Sequence, residues 1–183
     1  MNAFELDKEL KNNLIILKSH TKSIAQTMFS YIDKDRERLT EFLPWVKHTR
    51  SVSDSESYIE FCAQNWIQKK RFDYGIYKAS TNEYVGNIGV HTIEWDYNSC
   101  ELGYWILGKH EGSGLVSESI KLLEAYLFKN GFNRVQIKCS DLNAKSSAVP
   151  KRCGYHFEGT LRQDCIENGV YRNTQVYSKL ALD

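Results

Sequence analysis

The spacing of apolar residues changes period several times along the chain, and each change marks a predicted element. Leu14–Leu17 (LIIL) is a short apolar run that predicts a strand. Ile24, Met28 and Ile32 then recur every four residues, the spacing of one helix face. Phe42-Leu43-Pro44-Trp45 ends that helix, because proline cannot continue the amide ladder. Ser53-Asp54-Ser55-Glu56 reads as a capping box for a second helix, with Ile59, Cys62 and Trp66 on its inner face. Tyr74–Lys78 alternates as a strand, Thr81-Asn82-Glu83 turns, and Tyr84–Trp95 returns as its partner.

The second half is more telling. Glu101–Leu107 (ELGYWIL) predicts a strand, and Lys109–Gly114 (KHEGSG) a glycine-rich loop. Leu115–Asn130 has Leu115, Ser119, Leu122, Leu123 and Tyr126 at helical spacing, and Asn130-Gly131 closes it. Arg134–Cys139 is a strand whose Val135, Ile137 and Cys139 share a face. Asn143 is a natural N-cap for a short helix that ends near Cys153-Gly154. Two last strands flank Asn168-Gly169, a strong hairpin signal.

Composition narrows the class. A chain of 183 residues, 42% apolar, buries a full core as one domain, without disulfide or metal. No repeat or Pro/Ser-rich linker divides it. A formal charge of +1 argues against coating nucleic acid, and no apolar run reaches the ~18–20 residues of a membrane span. Met1–Lys8 has no signal-peptide apolar stretch. The five cysteines (Cys62, Cys100, Cys139, Cys153, Cys165) are scattered without CxxC, which fits reduced thiols in a cytoplasm rather than a zinc site.

One phosphate motif is a decoy. Gly103–His110 nearly matches GxxxxGK(S/T), but His110 replaces the magnesium-binding hydroxyl and the intervening residues are bulky strand formers. Glu111-Gly112-Ser113-Gly114 is the better candidate. Glycines there admit close backbone approach, and the unsatisfied first-turn amides of the following helix favour an anion by about 0.3–1 kcal/mol. A plain strand-to-helix turn remains the alternative reading of those residues alone.

Lys109-His110-Glu111-Gly112-Ser113-Gly114 is similar to the Gln/Arg-x-x-Gly-x-Gly/Ala signature of the GNAT acetyltransferase superfamily, with Lys109 in the Gln/Arg position. Leu43-Pro44-Trp45, Glu101–Trp105, Asn143–Pro150, Gly154–Gly159 and Asn168–Tyr171 resemble, in order, stretches of its RimJ/RimL-type members, which acetylate N-termini of ribosomal proteins. The resemblance implies a single α/β (α+β) domain over residues 1–183, with an acetyl-CoA-binding core at about 85–160. It implies a central, mostly antiparallel sheet with one splayed parallel strand pair and helices on both faces. Trp105, Ile106 and Leu107 would then border the pantetheine. Lys109, His110, Glu111, Gly112, Ser113, Gly114 and Leu115 would form the pyrophosphate turn, and Asn143 and Ser146 would stand near the thiol. An amide near Ile106 would stabilise the oxyanion.

The resemblance also sets the expected chemistry, direct transfer without an acyl-enzyme. Many relatives place a thiolate-protonating Tyr seven positions after the Asn; here that residue is Pro150, and Ser146 supplies the hydroxyl instead. Pro150 also lacks the amide that would bond the Ser146 carbonyl, which predicts a kink. For the base, Glu101 opens the strand before the glycine loop and would act through water. Cys165 stands where a RimL-like Glu is expected, with Asp164 and Glu167 nearby, and His91 is a further candidate. Phe42, Trp45 and Tyr171 would line an acceptor groove. Freeing an α-amine of pKa near 8 at pH 7 costs about 1.4 kcal/mol, against about 4.6 kcal/mol for a lysine, so the α-amine is the easier nucleophile. The expected partners are acetyl-CoA and an amine acceptor such as a ribosomal-protein N-terminus, without nucleic acid or membrane; a homodimer is compatible. A small amine acceptor (amino sugar, polyamine or antibiotic) and a non-catalytic CoA-binding regulator are the alternatives.

Overall fold

The computed structural model describes residues 3–183, so Met1 and Asn2 of the N-terminal stretch lie outside the described residues. Its strands are β1 (Glu9–Lys11), β2 (Ile15–Ser19), β3 (Phe72–Lys78), β4 (Tyr84–Glu94), β5 (Ser99–Ile106), β6 (Arg134–Ser140), β7 (His156–Glu167) and β8 (Val170–Leu180). They form one sheet in the order β1-β2-β3-β4-β5-β6-β8-β7. Every neighbouring pair is antiparallel except β5 and β6, which run parallel. The expected mostly antiparallel sheet with one parallel pair is therefore present.

Alternation sorts the sheet into two faces. Leu17, Tyr74, Ile88, Leu102 and Ile137 point to one face, where Ile120, Leu123 and Leu127 of helix α4 (Leu115–Lys129) close the main core. The other face lies under helices α1 (Ala25–Lys34) and α3 (Val52–Ile67), and a second core forms there from Met28, Ile32, Val46, Ile59 and Tyr84. Helices thus cover both faces. Short helices α2 (Arg36–Thr40) and α5 (Ala144–Arg152) stand beside the end of β5.

Two sequence expectations are corrected and one strand is added. The capping box of α3 is Ser51 with Asp54, not Ser53 with Glu56. Ser51 is extended (φ −148°, ψ 167°), as an N-cap must be, whereas Ser53 already lies in the first helical turn. Strand β1 carries one buried residue, Leu10, too little for a periodic signal. The helix expected to run to Phe42–Trp45 is divided: α1 ends at Lys34, Asp35 leaves helical geometry (φ −114°, ψ 17°), and α2 follows as a separate short helix. The hairpin matches its prediction: Asn168 and Gly169 both have positive φ (50° and 79°), as a two-residue type I′ turn needs.

Parallel pairing of β5 with β6 is short. Ser99–Leu102 align with Arg134–Ile137, and beyond Leu102 no register joins the two strands. β6 continues beside β8, while β5 continues through Gly103–Ile106 beside β4 alone. The sheet is split there.

Candidate active site

The split exposes one edge of β5. Leu107 donates its amide to the Val85 carbonyl (2.9 Å), which fixes the phase of the β4–β5 ladder. Antiparallel alternation then turns the Tyr104 and Ile106 backbone groups away from β4, into the split. Of these, the Ile106 carbonyl accepts from the Arg38 guanidinium (2.6 Å). A groove of about 980 Å3 runs along this edge, bordered by Tyr104, Trp105 and Ile106 on one side and by α5 on the other.

At its outer end lies the glycine loop. Gly112 and Gly114 have φ of +72° and +80°, and a Cβ added at either would meet no atom within 4 Å, so the loop presents bare backbone outward. Helix α4 starts at Gly114 with no side-chain cap, whereas Ser51 caps α3 and Asn143 caps α5. The first amides of α4 are therefore free to bind an anion. Glu111, the acidic residue of this loop, is neutralised by Arg38 (2.7 Å) and Lys145 (2.6 Å). Arg38 also pairs with Asp35, which accepts the Gly108 amide (2.8 Å). Arg152 completes a basic border.

Near the inner end, the Asn143 side chain accepts the Ser146 amide (2.9 Å) and fixes the first turn of α5. Pro150 lies inside that helix, so the Ser146 carbonyl receives no amide from it. The Tyr104 hydroxyl takes that place, donating to the Ser146 carbonyl at 3.0 Å with Ser146 Oγ 3.4 Å away. Burial raises the Tyr104 phenol above its ordinary pKa, so it stays protonated. Burial likewise pushes the Cys139 thiol up to about 11, opposed by its contact with the Ser146 hydroxyl. Serine, tyrosine and a neutral thiol make this end a set of proton donors, without an anion among them.

A second cavity, about 580 Å3, opens on the other face and shares Leu43, Tyr104 and Trp105 with the groove. Trp45, Tyr58 and Phe61 give it aromatic walls, and the bare backbone of Gly89 and Gly103, paired across β4 and β5, forms part of its floor. Deeper lies buried Asp73, held by Arg71 at 2.5 and 2.9 Å. His91 lines the cavity as well. Burial lowers its pKa below the ordinary imidazole value, against an opposing pull from Glu101. Glu101 itself lines neither cavity. It lies 4.0 Å from His91 Nδ1 and 3.7 Å from Lys138 Nζ, and it accepts from Gln136 (3.1 Å).

Two cavities meeting at one strand edge suit a two-substrate transfer, and comparison with known proteins names it. Residues 15–156 match the family profile described as acetyltransferase (GNAT) domain. The chain is a GNAT acetyltransferase. It is 28% identical over 170 residues to the uncharacterized N-acetyltransferase YoaA of Bacillus subtilis (strain 168), covering 92% of this chain and 94% of that protein. It is 25% identical over 166 residues to the ribosomal-protein-serine acetyltransferase of Escherichia coli (strain K12), covering 90% and 89%. Among solved structures, the microcin C7 self immunity acetyltransferase MccE, in complex with acetyl-CoA and AMP, superposes with a TM-score of 0.89 at 27% identity, covering 92% of this chain and 93% of that one. The GNAT enzyme uses acetyl-CoA as its cosubstrate, and the split edge, glycine loop and basic border fit that molecule.

Within the acetyltransferase, the structure gathers part of the expected site. Trp105, Ile106, His110, Glu111, Gly112, Gly114, Asn143 and Ser146 border the groove. Leu107, Lys109, Ser113 and Leu115 do not, although the Leu115 amide belongs to the open helix end. Lys109 instead bonds Glu83 (2.6 Å); this contact, with that of Lys78, holds the Glu83 carboxyl down to about 2. The Ser113 hydroxyl, though exposed, donates to the His110 carbonyl. Trp45 reaches the aromatic cavity, but Phe42 lies in the groove and Tyr171 borders neither. Cys165, facing the Arg172 carbonyl at 3.7 Å, also borders neither. Of its neighbours, Glu167 bonds Ser140 (3.0 Å) and Asp164 is exposed. Arg38, Tyr104, Lys145 and Arg152 were missed. Lys145, Ala148, Val149 and Arg152 all line the groove at i, i+3, i+4 and i+7, so the Asn143 cap plus helical spacing could have found that face.

Proposed function

We propose that this acetyltransferase acetylates the α-amine of a polypeptide N-terminus, with a ribosomal protein as the favoured acceptor. The observation that carries the reading is the junction at Leu43, Tyr104 and Trp105, where a basic, glycine-ended groove meets an aromatic cavity. Acetyl-CoA lies in the groove with its pyrophosphate on the Gly112–Gly114 turn and its pantetheine along the free edge of β5. The amides of Tyr104 and Ile106 are the donors available to the thioester oxygen as it gains charge. The amine enters through the aromatic cavity and attacks the carbonyl carbon, and Ser146 gives a proton to the departing sulfur. Tyr104 keeps Ser146 oriented and can replace the proton it gives up. The naming of the Escherichia coli relative as a ribosomal-protein-serine acetyltransferase supports the acceptor class, as does the easier deprotonation of an α-amine.

A volume of about 580 Å3 also lies within the small-molecule range, which favours a small amine as the second reading. A panel of acceptors separates the two. Seryl and alanyl peptides, an amino sugar, a polyamine and an aminoglycoside are each offered with acetyl-CoA, and thiol release is measured. Peptides should give the highest kcat/KM. Faster turnover of a small amine would transfer the assignment to that class, and absence of turnover with every amine, despite acetyl-CoA binding, would favour the regulator.

A further inference from the structure

We propose that His91 accepts the proton of the acceptor amine, and that Glu101 and Thr92 are positioning residues that hold its ring. The assignment rests on reading the aromatic cavity as the acceptor site. Of the two groups, only His91 reaches that cavity. His91 and Glu101 are direct cross-strand partners on β4 and β5, so their side chains share one face. The ring leans across Gly103, where an added Cβ would lie 2.7 Å from Nε2. Gly103 also lines the cavity and is followed by Tyr104, which borders both cavities, so Nε2 lies on the cavity floor against the residue next to the junction.

The opposite ring nitrogen is occupied. Nδ1 is 3.2 Å from Thr92 Oγ1 and 4.0 Å from Glu101 Oε1. A proton kept on Nδ1 leaves the Nε2 lone pair for the amine, the division of labour of a base oriented by a carboxylate. Backbone geometry supports a local purpose. Thr92 has φ +48°, rare for a β-branched residue, and the β4–β5 register shifts between His91 and Glu94. Bulges of this kind re-aim side chains beside active sites.

The surrounding charges agree. Glu101 from β5, with Lys138 of β6 behind it, faces the ring from one side, and the Arg71–Asp73 pair from the β3 side. Asp54 and Tyr58 of α3, and His48 before it, border the same cavity. Burial favours neutral imidazole at pH 7, while Glu101 across the strand stabilises the imidazolium once formed. In the step itself, the amine nitrogen bonds the carbonyl carbon and its proton passes to Nε2, directly or through one water. The carbon–sulfur bond then breaks and the sulfur takes a proton from Ser146; His91 releases the amine's proton to water, and water returns one to the Ser146–Tyr104 hydroxyl pair, so that both groups end as they began.

The test is the pH dependence of kcat/KM, measured with whichever amine of the panel turns over fastest, together with 15N NMR of the histidine rings. In the wild type, the acid side should steepen from slope one, due to the amine, to slope two below the His91 pKa. His91→Gln should lose about 10²-fold at pH 7 and retain slope one throughout, with the acetyl-CoA thermal shift unchanged. Glu101→Gln should lose about tenfold and move the second break to lower pH, because it removes a raising influence, and Glu101→Asp should recover part of the loss. NMR should show Nδ1–H in the free protein, a result that does not depend on the acceptor. A His91→Gln rate within threefold of wild type, or an Nε2–H ring, overturns the assignment. Failure of every peptide, with the His91 effects intact on a small amine, would overturn the N-terminal reading alone.

Discussion

The groove and the aromatic cavity meet at one strand edge but are built in opposite ways. The groove offers backbone groups along its length, the unpaired edge of β5, the bare glycine turn and the uncapped end of α4, with side chains of α5 and Arg38 as its border. The cavity is mainly side chain, with Trp45 from a 3-10 turn, Tyr58 and Phe61 from α3, Arg71 and Asp73 beside and on β3, and His91 from β4. Backbone donors serve any sequence that keeps the strand, turn and helix, so the donor half can stay constant. An acceptor wall of side chains changes with each substitution. On the proposed assignment of the aromatic cavity to the acceptor, the fold fixes the acetyl donor and individual residues select the amine.

That contrast can be broken experimentally, most severely at the glycine turn. Gly114→Val places a β-branched residue at φ +80° and adds bulk where phosphate would lie. The thermal shift caused by saturating acetyl-CoA should vanish, and melting of the free protein should fall by only a few degrees. An undiminished shift would remove the turn from the donor site. Next in size is the junction. Ser146→Ala should lower kcat about 10²-fold with a smaller change in acetyl-CoA affinity, and Tyr104→Phe should lower it several-fold by freeing the Ser146 carbonyl. A kcat within threefold for Ser146→Ala would leave the thiolate to solvent. The smallest effects should come from residues named by motif position but placed elsewhere. Lys109→Ala should change KM for acetyl-CoA less than threefold, because its ammonium serves Glu83, and Cys165→Ser should leave kcat/KM within twofold. A large loss from either would mean that the site extends beyond the two cavities.

Much of the groove could be read in the sequence, because its signals are local. The glycine turn, the Asn143 cap and Ser146 three residues later are short-range patterns with one geometry each. The cavity left no such trace. Asp73 lies just outside the predicted strand Tyr74–Lys78 and carries no signal of its own until Arg71 and the floor at Gly89 are seen beside it. Nor could the sequence separate Glu101 from His91: strand pairing puts both on one face, and the packing around them shows that of the two His91 lines the cavity. Tyr104 shows the same limit. Its value depends on Pro150, forty-odd residues later, leaving a carbonyl for it to bond. The misplaced capping box was a local error, settled by Ser51 being extended and Ser53 helical.

The strand order has a consequence for how the enzyme assembles. β1 to β5 lie in the sheet in the order in which they occur in the chain, and β7 and β8 form a hairpin. Both blocks can form from pairings between successive strands. Within the sheet, β6 joins them, by its antiparallel pairing with β8 and by the short β5–β6 register, whose crossover carries the glycine turn and α4. Closing that loop is the costly long-range step, and it creates the groove. Acetyl-CoA should therefore slow unfolding by bridging the seam, which is otherwise held by the short β5–β6 register and the core beneath α4. Hydrogen exchange should find its protection concentrated along β5, α4 and α5 rather than spread across the sheet.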